Sequence, residues 1–237
     1  MKIVQETEKL YRLTRFGLFN CFLVKGEGGS STLIDTNIAG SWRGILQASR
    51  TLGCPINRIL LTHAHLDHVS SLDELAFTLP GVEVLIGERE SRLLRGDFSL
   101  DPGEHGKKLF GFAPTHTKPT KTLVDGEQIG CLRAISCPGH TPGHFAYLDV
   151  RDNSLIAGDA FVTQSGVVAA GVFKWTFPLP AWFSWNGELC ARSAAKLRAL
   201  NPSRLAVGHG KTIVSPGAAM DRAVAMAYRQ HPNASNH

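Results

Sequence analysis

The pattern of apolar and polar positions predicts two successive halves, each with strands followed by helices. Short apolar or alternating runs bounded by Gly, Pro, Asn or Asp are typical of strands, and apolar residues recurring every three or four positions are typical of helices. In the first half, the predicted strands cover 2–10, 20–25, 32–36, 58–62 and 82–86. Helices are predicted over 41–52, with Ser41 as the N-cap, and over 69–79.

The second half repeats this alternation. Its predicted strands cover 122–124, 128–136, 145–150, 155–157 and 204–207. One helix is predicted over 186–200, and another begins at Ser215-Pro216, with Ser as the cap and Pro at the first helical position. Between the halves, 96–121 is rich in Gly and Pro and is a candidate lid or binding loop. We therefore expect a single domain over 1–230 and a polar tail over 231–237.

Composition narrows the class of protein. With 237 residues, 43% hydrophobic and 19% charged, the chain can bury a substantial core. No apolar run approaches the roughly 18 residues of a membrane span, and the polar N-terminus lacks a signal-peptide pattern, so we predict a cytoplasmic protein with no membrane partner. The net charge of +5 is scattered, so no nucleic-acid partner is expected. The five cysteines form no C-x-x-C pair and are expected to be reduced and mostly buried.

The chemistry concentrates in His63-Ala64-His65-Leu66-Asp67-His68, directly after the predicted strand 58–62. Imidazole and carboxylate are ligands of Zn²⁺ and related metals. An isolated His is usually structural, but three His and one Asp at this spacing predict a metal site. Three later positions are further candidate ligands, each beside glycine and after a predicted strand: His140, Asp159 and His209.

The motif H-x-H-x-D-H, followed in order by these three residues, resembles the five-part metal pattern of the metallo-β-lactamase superfamily. The resemblance covers about 15–212. It implies an α/β (α+β) fold: a four-layer αβ/βα sandwich of two mixed β-sheets with helices on the outside. It also implies that the metals lie at one edge, between the halves.

The resemblance assigns the ligands residue by residue. The first metal would be bound by His63, His65 and His140, the second by Asp67, His68 and His209, and Asp159 would bridge the two. Two divalent ions are implied; Zn²⁺ fits best, and Mn²⁺, Fe and Co²⁺ accept the same donors. Asp67 is also the predicted catalytic residue, because it would hold the bridging hydroxide. His144 is predicted to orient a ligand without binding metal itself.

The expected reaction is hydrolysis of an ester, thioester or lactone carbonyl by a metal-bridging hydroxide. The glyoxalase II-like and lactonase-like branches are the most similar. However, Val162 stands where acyl-homoserine lactonases carry Tyr, and 165–170 lacks the basic residue and Tyr with which glyoxalase II grips glutathione. A phosphodiesterase or nuclease, and β-lactam hydrolysis as a side activity, remain alternatives. A non-catalytic metal-binding role is disfavoured because every expected ligand is present.

The segment 173–185 carries three of the four tryptophans. Two prolines disfavour regular structure, so its aromatic rings either line an apolar substrate pocket opposite the loop 96–121 or pack in the core. The candidate substrate-binding residues are Phe173, Trp175, Trp182 and Phe183. Because bound metals would attract anions, the expected partner is a small-molecule substrate, anionic with an apolar group. The sequence does not indicate the oligomeric state.

Overall fold

A computed structural model describes residues 1–112, 114–176 and 178–235. The chain divides into two compact units. The first unit comprises Met1–Asp97 with Phe112–Leu123, and the second comprises Phe98–Gly111 with Val124–His237. None of the described helices combines the length and apolar character needed to cross a bilayer.

The first unit is built on a seven-stranded sheet whose strand order follows the chain. The strands are β1 (Lys2–Gln5), β2 (Leu10–Arg15), β3 (Phe19–Lys25), β4 (Ser31–Ile34), β5 (Ile56–Leu60), β6 (Glu83–Gly87) and β7 (Lys121–Leu123). Pairing is antiparallel from β1 to β4 and parallel from β4 to β7. The helices are α1 (Trp42–Thr51), α2 (Leu66–Val69), α3 (Leu72–Thr78) and α4 (Glu88–Leu94). All four residues of β4 are buried, as expected for a strand covered on both faces.

The second unit is built on a six-stranded mixed sheet, in which only the pairing of β11 with β14 is parallel. In spatial order its strands are β15 (Ile213–Val214), β14 (Arg204–Ala206), β11 (Ser154–Ile156), β10 (Phe145–Asp149), β9 (Leu132–Ser136) and β8 (Gln128–Ile129). A separate hairpin pairs β12 (Phe161–Val162) with β13 (Val168–Ala169). The helices are α5 (Leu179–Trp182), α6 (Gly187–Ala199) and α7 (Gly217–Gln230), followed by a 3₁₀ turn at Pro232–Ser235. Apolar residues of the sheet, the hairpin, α6 and α7 form the core of this unit.

Two large mixed sheets with helices confirm the predicted α/β class, but several element boundaries differ. Only residues 2–5 of the predicted strand 2–10 form β1. A turn that closes on the Thr7 hydroxyl, which accepts hydrogen bonds from the amides of Lys9 and Leu10, separates β1 from β2. The predicted strand 128–136 is divided into β8 and β9. The prediction missed α4, α5, β12, β13 and β15, and of β2 it included only Leu10.

The predicted helix 69–79 corresponds to α3, which begins only at Leu72, and α2 ends at Val69, before a break at residues 70 and 71. Ser71, at the break, accepts hydrogen bonds from the amides of Ser41 and Trp42 and so caps α1 from a distance. The predicted cap by the Ser41 side chain is therefore wrong; that hydroxyl donates to Asn37 instead.

The start of α7 is also shifted. Ser215 has a φ of 51° and makes no cap, so the helix begins at Gly217. At the other end of α7, the predicted polar tail is structured as far as the described residues extend. The ring of His231 lies 3.0 Å from the carbonyl of Gly171, and Ala234 is buried. Residues 236 and 237 lie outside the described part of the chain.

Candidate metal centre

The contiguous motif forms a compact cluster in the first unit. His63, His65 and His68 are buried, whereas the Asp67 side chain remains partly exposed. The first turn of α2 folds the motif back on itself, because the amide of His68 donates to the carbonyl of His65. His63 Nε2 then lies 3.1 Å from His65 Nδ1, and His68 Nε2 lies 3.8 Å from an Asp67 carboxylate oxygen.

Asp35 organises this cluster, and the sequence analysis did not identify it. It follows β4 with a φ of 60° and is buried. Its carboxylate accepts hydrogen bonds from the Thr62 amide, the Thr62 hydroxyl and His68 Nδ1, each at 2.8 Å. The only sequence signal was an acid closing a buried strand, which is more often a turn residue.

These bonds determine the tautomers of two predicted ligands. The single hydroxyl hydrogen of Thr62 goes to Asp35, so Thr62 Oγ1 accepts from His63 Nδ1 at 2.9 Å. His68 Nδ1 donates to Asp35 in the same way. In the neutral form, both rings therefore carry the lone pair on Nε2, which is the form that binds metal.

The donor set of the first unit fits a divalent metal. Two nitrogens on one tetrahedral Zn²⁺, each at about 2.0–2.1 Å, lie about 3.3 Å apart. The facing nitrogens of His63 and His65 are separated by 3.1 Å. A proton or a metal ion satisfies this contact, and metal binding would release the proton.

Three residues distant in sequence form a second cluster in the second unit. Asp159 follows β11 and His209 follows β14; because these neighbouring strands are parallel, both residues leave the same edge of the sheet. His140 lies in the loop between β9 and β10. One carboxylate oxygen of Asp159 lies 3.1 Å from His209 Nε2 and 3.6 Å from His140 Nε2.

Glycines allow the close approaches in this second cluster. Gly139 has a φ of 137°, and a Cβ there would lie 2.3 Å from the backbone nitrogen of Cys190. Gly210 has a φ of 114°, and a Cβ there would lie 2.8 Å from the carbonyl carbon of Thr163. Neither backbone position tolerates a side chain, so the loops carrying His140 and His209 both depend on glycine.

His144 contacts the backbone of the predicted bridging ligand. The Asp159 amide donates to His144 Nε2 at 3.1 Å, so the neutral ring carries its proton on Nδ1, 3.1 Å from Cys137 Sγ. Burial raises the pKa of the Cys137 thiol, which keeps the sulfur neutral. Cys21, Cys54 and Cys190 are buried as well, Cys131 is half-buried, and all five cysteines are free thiols, as expected.

The predicted substrate-binding aromatics are exposed to different degrees. Trp175 is 89% and Trp182 is 56% exposed, so these two rings do not belong to the core, whereas Trp185 is buried. Phe173 lies against Trp175, with ring centroids 5.2 Å apart. Phe183 lies 5.1 Å from the ring of Phe110.

The first part of the predicted loop 96–121 is hydrogen-bonded to α5 and to the aromatic turn that follows it, residues 183–186. Lys107 donates from Nζ to the carbonyl of Ala181 at 2.7 Å and from its amide to the carbonyl of Trp185 at 2.8 Å. Asn186 donates from Nδ2 to the carbonyl of His105. The described part of 112–121 belongs to the first unit, where Asp73 accepts hydrogen bonds from His116 and Thr117.

Comparison with known proteins agrees with the resemblance inferred from the motif. Residues 15–209 match the metallo-β-lactamase superfamily. The uncharacterized protein YobT of Bacillus subtilis is 49% identical over 96% of this chain and 99% of its own. The probable metallo-hydrolase YflN of the same organism is 30% identical over 78% of this chain and 76% of its own. A hydroxyacylglutathione hydrolase of Rhodospirillum rubrum is 28% identical over 55% of this chain and 43% of its own.

Among solved structures, TTHA1623 in a di-iron-bound form is similar with a TM-score of 0.65 and 25% identity, covering 87% of this chain and 94% of that one. All seven predicted ligands belong to groups of side chains able to hold a metal ion. With the family match extending over most of its length, the chain belongs to the metallo-β-lactamase superfamily.

Proposed function

We propose that this chain is a binuclear metal-dependent hydrolase acting on an ester, thioester or lactone carbonyl. The observation that carries the proposal is the orientation of His63 and His68, whose Nδ1 atoms are engaged by Thr62 and Asp35 so that Nε2 is presented for a ligand bond. Such preset imidazoles are typical of metal sites. The similarity to YflN and to a hydroxyacylglutathione hydrolase supports hydrolysis, and the di-iron form of TTHA1623 supports two ions.

Following the superfamily pattern, we propose that seven side chains bind the two ions: His63, His65, Asp67, His68, His140, Asp159 and His209. When bound, two divalent metals supply a hydroxide nucleophile at neutral pH and polarise the carbonyl that it attacks. Asp159 presents one oxygen to both His140 and His209, which suits a bridging carboxylate. His144 holds the amide of Asp159 and thereby its backbone position.

Asp67 is the proposed catalytic residue. It is the partly exposed acid of the first cluster, within 3.8 Å of His68 Nε2. A carboxylate open to solvent can orient the attacking oxygen, accept its proton and exchange that proton with water. For the substrate, we propose that Phe173, Trp175, Trp182 and Phe183 contact an apolar group, while the cationic metal site attracts an anionic one.

Metal content and turnover test the proposal together. Protein supplemented with Zn²⁺, Mn²⁺, Fe²⁺ or Co²⁺ is analysed for metal and assayed against thioesters, lactones, β-lactams and phosphodiesters. We expect about two ions per chain, with activity on a thioester or lactone. Less than one ion in every preparation would refute the binuclear site, and activity confined to phosphodiesters would refute the substrate class.

Asp67→Asn then tests the catalytic assignment. We expect kcat to fall by about 100-fold or more, with a much smaller change in KM, because the contribution of Asp67 is felt mainly in the transition state. Metal content is measured in the same sample, and Asp73→Asn serves as an acid-to-amide control away from the ligands. An unchanged kcat at full metal occupancy would remove Asp67 from the mechanism.

A further inference from the structure

The aromatic turn after α5 reaches a predicted metal ligand through one hydroxyl group. Ser184 is buried, and its Oγ lies 3.3 Å from His140 Nδ1. The backbone reinforces this contact: the amides of Trp185 and Asn186 donate to the carbonyls of His140 and Gly139, at 3.0 and 2.9 Å. The turn and the ligand loop are therefore held in fixed register within the second unit.

The hydrogen bonds of Ser184 determine the direction of this contact. Its Oγ lies 2.5 Å from the carbonyl of Pro180, which can only accept, so the single hydroxyl hydrogen is committed there. The Gly171 amide donates to one lone pair of Oγ at 2.9 Å. Toward His140 the oxygen therefore presents a lone pair, which can only accept, so Nδ1 of that ring carries the proton.

The neighbouring Cys190 does not compete for the hydroxyl proton. Burial raises the pKa of the Cys190 thiol to about 12, although a hydrogen bond with Ser184 opposes the shift. The sulfur is thus a neutral thiol with its own proton. A neutral thiol is a weak acceptor, and the Pro180 carbonyl is a far better partner for the hydroxyl of Ser184.

We propose that Ser184 is a positioning residue, which fixes His140 in the tautomer protonated on Nδ1 and so presents Nε2 for metal binding. Nε2 is also the atom on the side of Asp159, 3.6 Å from its carboxylate. The inference rests on the proposed role of His140 as a ligand. It means that the segment proposed to contact the substrate also orients one ligand of the metal site.

The tautomer can be measured without metal. In protein labelled with ¹⁵N-histidine, His140 is assigned by the signals lost in His140→Gln. We expect a protonated Nδ1 and an unprotonated Nε2 in the metal-free wild type. The opposite tautomer would overturn the proposal, whether or not the protein binds metal.

Zinc affinity provides the second test, by chelator competition with Ser184→Ala. The control is Asn186→Ala, which removes the side-chain cap of α6 from the same turn but leaves the contact between Ser184 and His140 intact. We expect Ser184→Ala to weaken Zn²⁺ binding by about 10- to 100-fold and to change the His140 spectrum. Asn186→Ala should change neither.

A Zn²⁺ affinity of Ser184→Ala within about twofold of wild type, together with an unchanged His140 spectrum, would overturn the inference. An equal loss of affinity in Asn186→Ala would also overturn it, because it would indicate general damage to the turn. If the wild type itself binds no Zn²⁺, the proposed function fails instead, and the tautomer measurement still decides the role of Ser184.

Discussion

The cluster of the first unit and that of the second reach similar donor sets by different means. In the first, one buried carboxylate, Asp35, orients His68 directly and His63 through Thr62. In the second, three distant residues meet because parallel strands end together and glycines admit close backbone contacts. The comparison shows that predicted ligands are held by hydrogen bonding in the first unit and by steric fit in the second. We expect the two clusters to respond differently to mutation.

The largest effect is expected at Gly139 in the second unit. Gly139→Ala places a Cβ 2.3 Å from the backbone of Cys190, so the loop and α6 must separate. We expect the free energy of unfolding, from urea titration, to fall by about 3 kcal/mol or more. Gly126→Ala is the control, since Gly126 has a φ of 82° and open space around it; strain alone should cost about 1 kcal/mol. Equal losses would mean that steric fit is not what secures this cluster.

Asp35→Asn tests the carboxylate of the first unit. An amide retains one oxygen and cannot accept all three hydrogen bonds from Thr62 and His68, so His63 and His68 lose their fixed tautomers. We expect Zn²⁺ affinity to fall by about 10- to 100-fold, as measured by chelator competition. Asp73→Asn, in the same unit but remote from the ligands in its contacts, should leave the affinity unchanged. Wild-type affinity in Asp35→Asn would show that the first cluster does not depend on its carboxylate.

Trp182→Ala examines the aromatic segment 173–185 of the second unit. Because this ring is more than half exposed, its loss should change Tm little. If it contacts an apolar substrate group, KM for apolar esters should rise about tenfold, corresponding to about 1.4 kcal/mol of lost contact. Phe77→Ala removes an exposed ring from α3 in the first unit, where Phe77 is 90% exposed, and should leave KM unaltered. A lower Tm with unchanged kinetics would assign Trp182 a structural role instead.

The smallest expected effect is the pH dependence of Asp73 in the first unit. Burial opposes ionisation, but hydrogen bonds from Thr117 and His116 outweigh it and lower the pKa of this carboxyl. Stability from a lowered pKa is present above the unfolded-state pKa and is lost as pH falls through the folded-state value. Asp73→Asn should therefore cost about 1 kcal/mol at pH 7, and the difference from wild type should shrink below about pH 4. A difference that stays constant to pH 2.5 in urea unfolding would contradict this.

The same contrast explains what sequence reasoning could predict. The motif from His63 to His68 was identifiable because its spacing is local and unusual, and most strands followed from runs of apolar residues. Asp35 and Ser184 were not identifiable: each contacts a predicted ligand far away in sequence, and an isolated Asp or Ser has no spacing that predicts such a contact.

Helix boundaries failed for a related reason. Ser71 was expected inside a helix, yet its hydroxyl caps α1 across about 30 positions of sequence. Local propensity favoured a helix through residue 71, whereas Ser71 lies between α2 and α3 and its hydroxyl bonds to the start of α1. The glycines beside His140 and His209 indicated that another part of the backbone lies close to each loop. The sequence did not predict which residues those are.

The sequence separation of the predicted ligands also bears on the order in which the chain folds. Closing a loop costs entropy that rises with its length, by about 0.6 kcal/mol for each doubling. The donors of the first unit lie between residues 63 and 68, whereas those of the second must be gathered from residues 140 to 209. Contacts between nearby residues form first. We therefore expect the cluster of residues 63–68 to form before residues 140, 159 and 209 come together. A nascent chain would thus offer a partial ligand set long before the complete one exists.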